Sequence, residues 1–216
     1  SYNGYREYRD HLKNETDDFV VLKGIEYDTI DAGHILVILP EHVKLLLMEC
    51  RGLPVSVLQD VVHRHGGILG PAHPCGERHL SITRTRAYKR NPDIMKHFDF
   101  LEAFNSCESR ESNMEARQLA FRYNLPMFGG SDSHHPDCVG TAYTELKDEI
   151  ASESELVTYI KEKGATKFGG EYYEGTVKGK LGILNHVLVE SFWVYNRFAS
   201  MYRHHKRKLA LSLLNQ

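Results

Sequence analysis

The sequence predicts an α/β fold in which strands and helices alternate around a mainly parallel sheet, either open or closed into a barrel. Two observations lead to this prediction. Short apolar runs of strand length recur along the chain, and segments with helical spacing of apolar residues separate them. The chain of 216 residues is also long enough to bury a sizeable core, so we expect one α/β domain with a terminal appendage.

The short apolar runs predict six strands. They cover residues 19–27, 34–39, 67–73, 98–104, 125–130 and 141–146. Four helices are predicted between them, over residues 54–66, 91–98, 111–124 and 152–164. The last helix has defined ends, because Ser152 can cap its first turn together with Glu155, and Gly164 follows its final turn.

Composition and charge argue against several classes of function. The formal net charge of -2 and the pI near 6.7 give no overall field that would attract nucleic acid or an anionic membrane. The four cysteines are far apart and form no CxxC pair, which argues against a disulfide framework or a zinc knuckle. With no cationic apolar leader and no run of about 18 apolar residues, the expected location is the cytoplasm.

Metal-ligand residues fall at the ends of the predicted strands. Glu26 lies near the end of the first strand, His34 opens the second, and His73 ends the third. After the fifth strand, the segment GGSDSHHP places Asp132 and His134 in one loop. Side chains at the carboxyl ends of parallel strands converge on one face, and imidazole with carboxylate suits zinc, manganese or iron. Such a cluster of divalent ions would polarise a phosphate and generate hydroxide at neutral pH.

Each of these residues also has an ordinary structural explanation. Glu26 could be a solvated strand end, and His34 and His73 could be hydrogen-bonded core histidines. Glu102 with Asn105 could tie down a loop, and the short SDSH pattern could form only turns. The ordered combination of all these features favours a metal site.

In order along the chain, the motifs GIEYD, GHIL, GPAHPCG, EAFNS and GGSDSHHPDCVGTAYT resemble the PHP family, the polymerase and histidinol phosphatase domain, and most closely its metal-dependent phosphoesterase branch. The resemblance runs from residue 1 to about residue 165. It implies a distorted (β/α)7 TIM-like barrel with two or three divalent ions, Mn, Zn or Fe, at a site that hydrolyses phosphoesters.

The resemblance also assigns roles to residues of this chain. The metal ligands it implies are Glu26, His34, His73, Asp132 and His134, and all except His34 would also serve catalysis, with Glu26 bridging two ions. Glu102 and Asn105 match the family's E-x-x-N strand end, where they would support the ligands from behind.

The same resemblance implies that part of the family pattern is absent. Family members begin with a D-x-H-x-H strand and then a T-D-H strand end, and neither occurs in this sequence. The barrel over residues 1–165 is therefore expected to lack its first strands, through truncation rather than gradual decay of the site. For the chain as given, we expect weaker metal binding than in the family and slow or no hydrolysis, unless another chain supplies the missing part.

Two further segments could contact a substrate or a second copy of the chain. Arg84, Arg86 and Lys89 follow the AHP motif and could close over the site to hold the phosphate of a small substrate; a solvated basic loop is the alternative. Residues 166–216 are expected to form a glycine-rich hairpin or loop and then a long amphipathic helix over 183–216. That helix could pack on the barrel or join two copies of the chain.

Three functions are compatible with these observations. A metal-dependent phosphoesterase is favoured because the ordered motifs cover most of the chain. A non-catalytic binding or regulatory module that keeps the barrel is the alternative that the missing ligands suggest. A nucleic-acid exonuclease is the third, and the near-neutral charge counts against it.

Overall fold

The computed structural model describes residues 19–49, 51–76, 80–164 and 166–174, together with Ser191, Val194 and Tyr195. In these ranges the chain forms seven strands and four α-helices. The strands are β1 (Ile25–Asp28), β2 (His34–Ile38), β3 (Ile68–Pro71), β4 (Leu101–Asn105), β5 (Met127–Gly130), β6 (Ala142–Leu146) and β7 (Thr166–Gly170). The helices are α1 (Val55–Arg64), α2 (Arg86–Arg90), α3 (Arg110–Tyr123) and α4 (Glu153–Lys161).

The first three strands form an antiparallel sheet in the order β1, β2, β3, so the prediction of a mainly parallel sheet is wrong here. Only residues 29–33 join β1 to β2, and so short a connection joins antiparallel neighbours, because parallel strands need a long crossover. Gly33 has a φ of 75° in this turn, a conformation that favours glycine. Among the described strands, β4 and β5 are the parallel pair, and α3 is their crossover helix.

The described strands form three small sheets and no closed barrel. β6 and β7 form the third sheet, which is antiparallel. Neighbouring sheets nevertheless contact one another, because β3 lies against β4, and β5 lies against β6 and β7. The mixed α/β class is confirmed, and the succession of sheets brings the ends of β1, β3, β4 and β5 toward one region.

Several element boundaries differ from the predicted ones. The strand predicted over residues 19–27 begins only at Ile25, and just before it the Lys23 N–H donates to Oε1 of Glu153 at 2.7 Å instead of to a neighbouring strand. The segment predicted as a helix over 91–98 is a 3-10 helix, Pro92–His97.

The core has two parts. The larger packs α1 and α3 against the strands and includes Tyr27, Ile35, Leu58 and Leu101, all nearly inaccessible to solvent. The smaller packs α4 around Phe100. These clusters hold the strand ends on a rigid frame.

Most of the predicted C-terminal helix over residues 183–216 lies outside the described residues. Ser191, Val194 and Tyr195, which belong to it, are helical. In the part of the chain that is described, no helix has the length and apolar character needed to cross a membrane.

Candidate metal centre

Three side chains of metal-ligand type converge at one end of the β1-β2-β3 sheet. Glu26 comes from β1, His34 opens β2, and His73 follows β3. One ligand atom from each lies within 4.8 Å of the others. The register explains this meeting, because Asp28 pairs with His34, which places Glu26 diagonally across from His34 on the same face of the sheet.

Glu26 is the centre of the cluster. Its Oε1 lies 2.6 Å from Nδ1 of His34 and 3.4 Å from Nε2 of His73. The two imidazole rings are edge to face, with their centroids 5.3 Å apart. Two ligand atoms that share a tetrahedral ion at about 2.1 Å lie about 3.4 Å apart, so the Glu26–His73 separation suits a common ion.

The backbone holds His34 in place on both sides. Its N–H donates to the Leu80 carbonyl at 2.8 Å, and its carbonyl accepts from Ala72 N–H at 3.2 Å. The preceding turn is closed by Thr29, whose hydroxyl donates to the Gly33 carbonyl at 2.6 Å. A side chain at Gly33 would collide with the backbone of Leu80, so this close approach requires glycine.

Charge is unevenly distributed between the carboxylate and the imidazoles. Burial disfavours the charged form of Glu26, but His34 and His73 outweigh it and hold the pKa of Glu26 well below its usual range. Burial likewise disfavours charge on His73, yet Glu26, Glu102 and Asp132 together raise the pKa of His73. Without a metal ion, the ionised carboxylate of Glu26 therefore favours the protonated form of His73, and a bound metal ion would have to replace that proton.

The donor atoms of the pocket are of the kinds that bind a divalent cation. Nδ1 of His34 is buried and lies 2.6 Å from Oε1 of Glu26, its ion-pair partner. Two ligands of one tetrahedral ion lie about 3.4 Å apart, so these two atoms would have to separate slightly to hold the same ion. Imidazole nitrogens with a carboxylate oxygen form a donor set that zinc, manganese and iron accept.

The loop after β5 carries the last two predicted ligands. Asp132 is mostly buried, with 11% of its side chain exposed, and it has a φ of 49°. Its charge contributes to the raised pKa values of His73 and Glu102, so it lies in the neighbourhood of these two residues. His134 lies 3.4 Å from Oδ1 of Asp132, but 80% of its side chain is exposed. The ligand cluster found among the described residues contains Glu26, His34 and His73 but not Asp132 or His134, so the ligand roles of the latter two stay predictions.

Glu102 and Asn105 lie behind the histidines. The fully buried Glu102 accepts a 2.6 Å hydrogen bond from the backbone N–H of His73 and a 3.0 Å bond from Nδ2 of Asn105. Burial raises the pKa of Glu102, although the charge of His73 opposes the shift. Glu102 thus holds the backbone of His73, and Asn105 holds the carboxylate of Glu102.

Sequence reasoning missed two supports of this arrangement. Asn113 on α3 exchanges two hydrogen bonds with the backbone of Asn105, at 2.8 and 3.0 Å. Gly130 leaves room for Glu102, because a Cβ there would collide with Oε1 of that carboxylate. The glycines of the GGSDSH motif were the available signal for a close approach, but their partner could not be read from spacing.

The predicted substrate-binding residues lie on the segment after His73. Arg84 donates to the carbonyls of Gly76 and Cys75 at 3.2 and 3.3 Å and to Glu115 at 3.2 Å, which ties the turn to α3. Arg86 and Lys89 are exposed on α2. Their role in substrate binding stays a prediction.

Comparison with known proteins supports the relationship that the motifs indicate. Residues 110–164 match a family model described as PHP-associated, which confirms the resemblance to the PHP family. An uncharacterized protein of Methanocaldococcus jannaschii is 26% identical over 151 residues, which are 66% of this chain and 59% of that protein. The chain therefore spans less than two thirds of the length of this relative.

A solved structure shares the fold. PsfC from Pseudomonas syringae superposes with a TM-score of 0.55 and 16% sequence identity, over 88% of this chain and 78% of PsfC. This similarity concerns the α/β architecture alone.

Proposed function

We propose that this chain carries the site of a metal-dependent phosphoesterase, a hydrolase that uses divalent Mn, Zn or Fe. The observation that carries the proposal is the contact of one carboxylate oxygen, Oε1 of Glu26, with the imidazoles of both His34 and His73. The mostly buried carboxylate of Asp132, whose charge raises the pKa of His73, supports it. The resemblance of the motifs to the phosphoesterase branch gives the reaction class.

The residues of the chain have separate tasks in this proposal. Glu26, His34, His73 and Asp132 would hold the first ion, and His134 would complete the ligands of a second. When bound, divalent ions would polarise a phosphate ester and supply a water of lowered pKa. Glu102 and Asn105 fix the backbone that carries His73, which keeps the imidazole aimed at Glu26.

The same proposal assigns the phosphate contact to the basic segment. Arg86 and Lys89 are exposed on α2, so their charges are available to a small phosphorylated substrate. Arg84 would act differently, by holding the turn at Cys75 and Gly76 through its hydrogen bonds.

The test measures ester hydrolysis by the metal-free chain after addition of Mn²⁺ or Zn²⁺. The substrates are 4-nitrophenyl phosphate and bis(4-nitrophenyl) phosphate, which separate monoester from diester activity. We expect slow but metal-dependent turnover, which Glu26→Gln lowers at least tenfold and Glu145→Gln, an exposed change on β6, leaves unchanged. Equal rates for the wild type and Glu26→Gln with both esters would overturn the proposal.

A further inference from the structure

Two thiols lie side by side next to the loop that carries Asp132. Cys107 follows β4, and Cys138 ends the short turn Pro136–Cys138 after β5. Their sulfur atoms are 3.7 Å apart, and neither is in a disulfide in this structure. A disulfide bond is about 2.05 Å long, so a small local shift brings the two atoms to bonding distance. We propose that Cys107 and Cys138 are a reversible redox pair that acts on the Asp132 loop.

Both thiols donate a hydrogen bond to the same backbone oxygen. The Ser131 carbonyl accepts from Sγ of Cys107 at 3.4 Å, from Sγ of Cys138 at 3.3 Å and from the hydroxyl of Ser106 at 3.0 Å. The next residue, Asp132, has a φ of 49°, in the left-handed region that aspartate enters more readily than most non-glycine residues. Oxidation to a disulfide removes both S–H donors from this carbonyl. The turn that aims Asp132 then loses two of these three contacts.

Exposure sets the order of the reaction. Cys107 is half-buried, whereas Cys138 is 1% exposed. With a hydroperoxide as oxidant, the Cys107 sulfur attacks the O–O bond and becomes a sulfenic acid, and one water (or alcohol) leaves. The Cys138 sulfur then attacks the sulfenic sulfur, the S–S bond forms, and a second water leaves. The two thiols lose two protons and two electrons, and the peroxide gains them. Two molecules of a small thiol reverse the step by exchange and leave as their own disulfide.

Serine variants remove each thiol without leaving a cavity in its place. Cys107→Ser keeps a donor for the Ser131 carbonyl but cannot form a disulfide. Cys138→Ser is accommodated by polar neighbours, because the Cys138 sulfur already lies 3.7 Å from Oγ1 of Thr141. Cys75 is the internal control, since it is buried and its hydrogen-bonded neighbour is not a thiol.

The experiment treats the full chain with hydrogen peroxide, blocks remaining thiols, and maps tryptic peptides by mass spectrometry. Cys107 and Cys138 fall in different tryptic peptides, residues 97–110 and 123–147. We expect these two peptides to be cross-linked in the oxidised wild type, released by dithiothreitol, and never joined in Cys107→Ser. Recovery of both as separately blocked or over-oxidised peptides would overturn the proposal.

The action on the loop is measured in the same samples by hydrogen–deuterium exchange over residues 129–139. We expect faster exchange in the oxidised wild type than in the reduced protein, and no change in peroxide-treated Cys107→Ser. Cross-linking with unchanged exchange would overturn the effect on the loop. Only an effect of the loop on a bound ion rests on the proposed function. The cross-linking and the hydrogen–deuterium exchange are both measured without a bound ion. A chain that binds no metal would therefore contradict the proposed function, while these two measurements would still test the redox pair.

Discussion

The backbone N–H of His73 donates a 2.6 Å hydrogen bond to Oε2 of the buried Glu102. His73 has a φ of 30°, a conformation in which a non-glycine residue needs external support. The carboxylate supplies that support and so fixes the direction in which the imidazole faces Glu26. The position of one metal-ligand side chain therefore depends on a carboxylate that lies behind it.

Glu102→Gln tests this dependence. Glutamine keeps the shape but removes the charge that accepts from His73, so we expect metal affinity to fall by about 10- to 100-fold. The fold should change little in stability, because glutamine has nearly the volume of glutamate and its amide oxygen can still accept from the His73 N–H. Calorimetric titration with Zn²⁺ and thermal unfolding measure the two effects. Glu145→Gln on the exposed face of β6 is the control, and an unchanged affinity in Glu102→Gln would show that His73 needs no such anchor.

Gly130→Ala should displace the same carboxylate from the opposite side. The added Cβ would collide with Oε1 of Glu102, and crowding of this kind in a packed interior costs about 1–3 kcal/mol. Gly24→Ala is the matched control, because its nearest neighbour, the carbonyl of Val37, is 3.8 Å from the new carbon. Urea unfolding gives the free energy of unfolding of each variant. Equal losses in the two variants would contradict the close approach of Glu102 to Gly130.

Cys75 should resist thiol reagents in the folded protein. It is 3% exposed, and burial raises its pKa to about 11, so at pH 8 the thiol is both protonated and inaccessible. Iodoacetamide at pH 8 should leave the tryptic peptide of residues 65–78 unmodified until the chain is unfolded with guanidinium. The half-buried Cys107 is the comparison within the same sample. Labelling of Cys75 as fast as Cys107 would contradict its burial.

The cap of α4 gives a prediction for the scaffold. The Ser152 hydroxyl accepts from Glu155 N–H at 3.2 Å, and the Glu155 carboxylate accepts from Ala151 N–H at 2.7 Å. Ser152→Ala should lower the free energy of unfolding by about 1 kcal/mol, the usual cost of removing such a cap. Ser56→Ala, at an exposed position inside α1, should have a much smaller effect in the same urea titration. A loss in Ser152→Ala no larger than in Ser56→Ala would mean that the cap contributes nothing.

Local signals in the sequence predicted the elements better than their pairing. The cap at Ser152 is confirmed, because it depends on residues three positions apart. The antiparallel order of β1, β2 and β3 was missed, because the alternation of strands and helices was read as a series of crossovers. The short turn ending at Gly33 was the signal for an antiparallel pair.

In the candidate site, the meeting of three metal-ligand residues was predictable from the sequence, but the contacts that support them were not. Glu26, His34 and His73 meet as expected, because each lies next to a strand end that the apolar runs define. The contacts of Asn113, Gly130 and the two thiols depend on residues far apart in the chain, so spacing alone could not reveal them. Positions that act through backbone contacts carry no recognisable motif of their own.

The central claim is that Glu26, His34 and His73 bind a divalent cation, and competition titration of Zn²⁺ against a chromophoric chelator tests it most directly. The metal-free wild type is compared with His73→Gln and with His63→Gln. His63 is the matched control, because its Nε2 lies 3.0 Å from Oδ2 of Asp99 and it lies outside the ligand cluster found among the described residues. We expect His73→Gln to weaken zinc binding at least tenfold and His63→Gln to leave it unchanged. Equal zinc affinity in the wild type and His73→Gln would contradict the central claim.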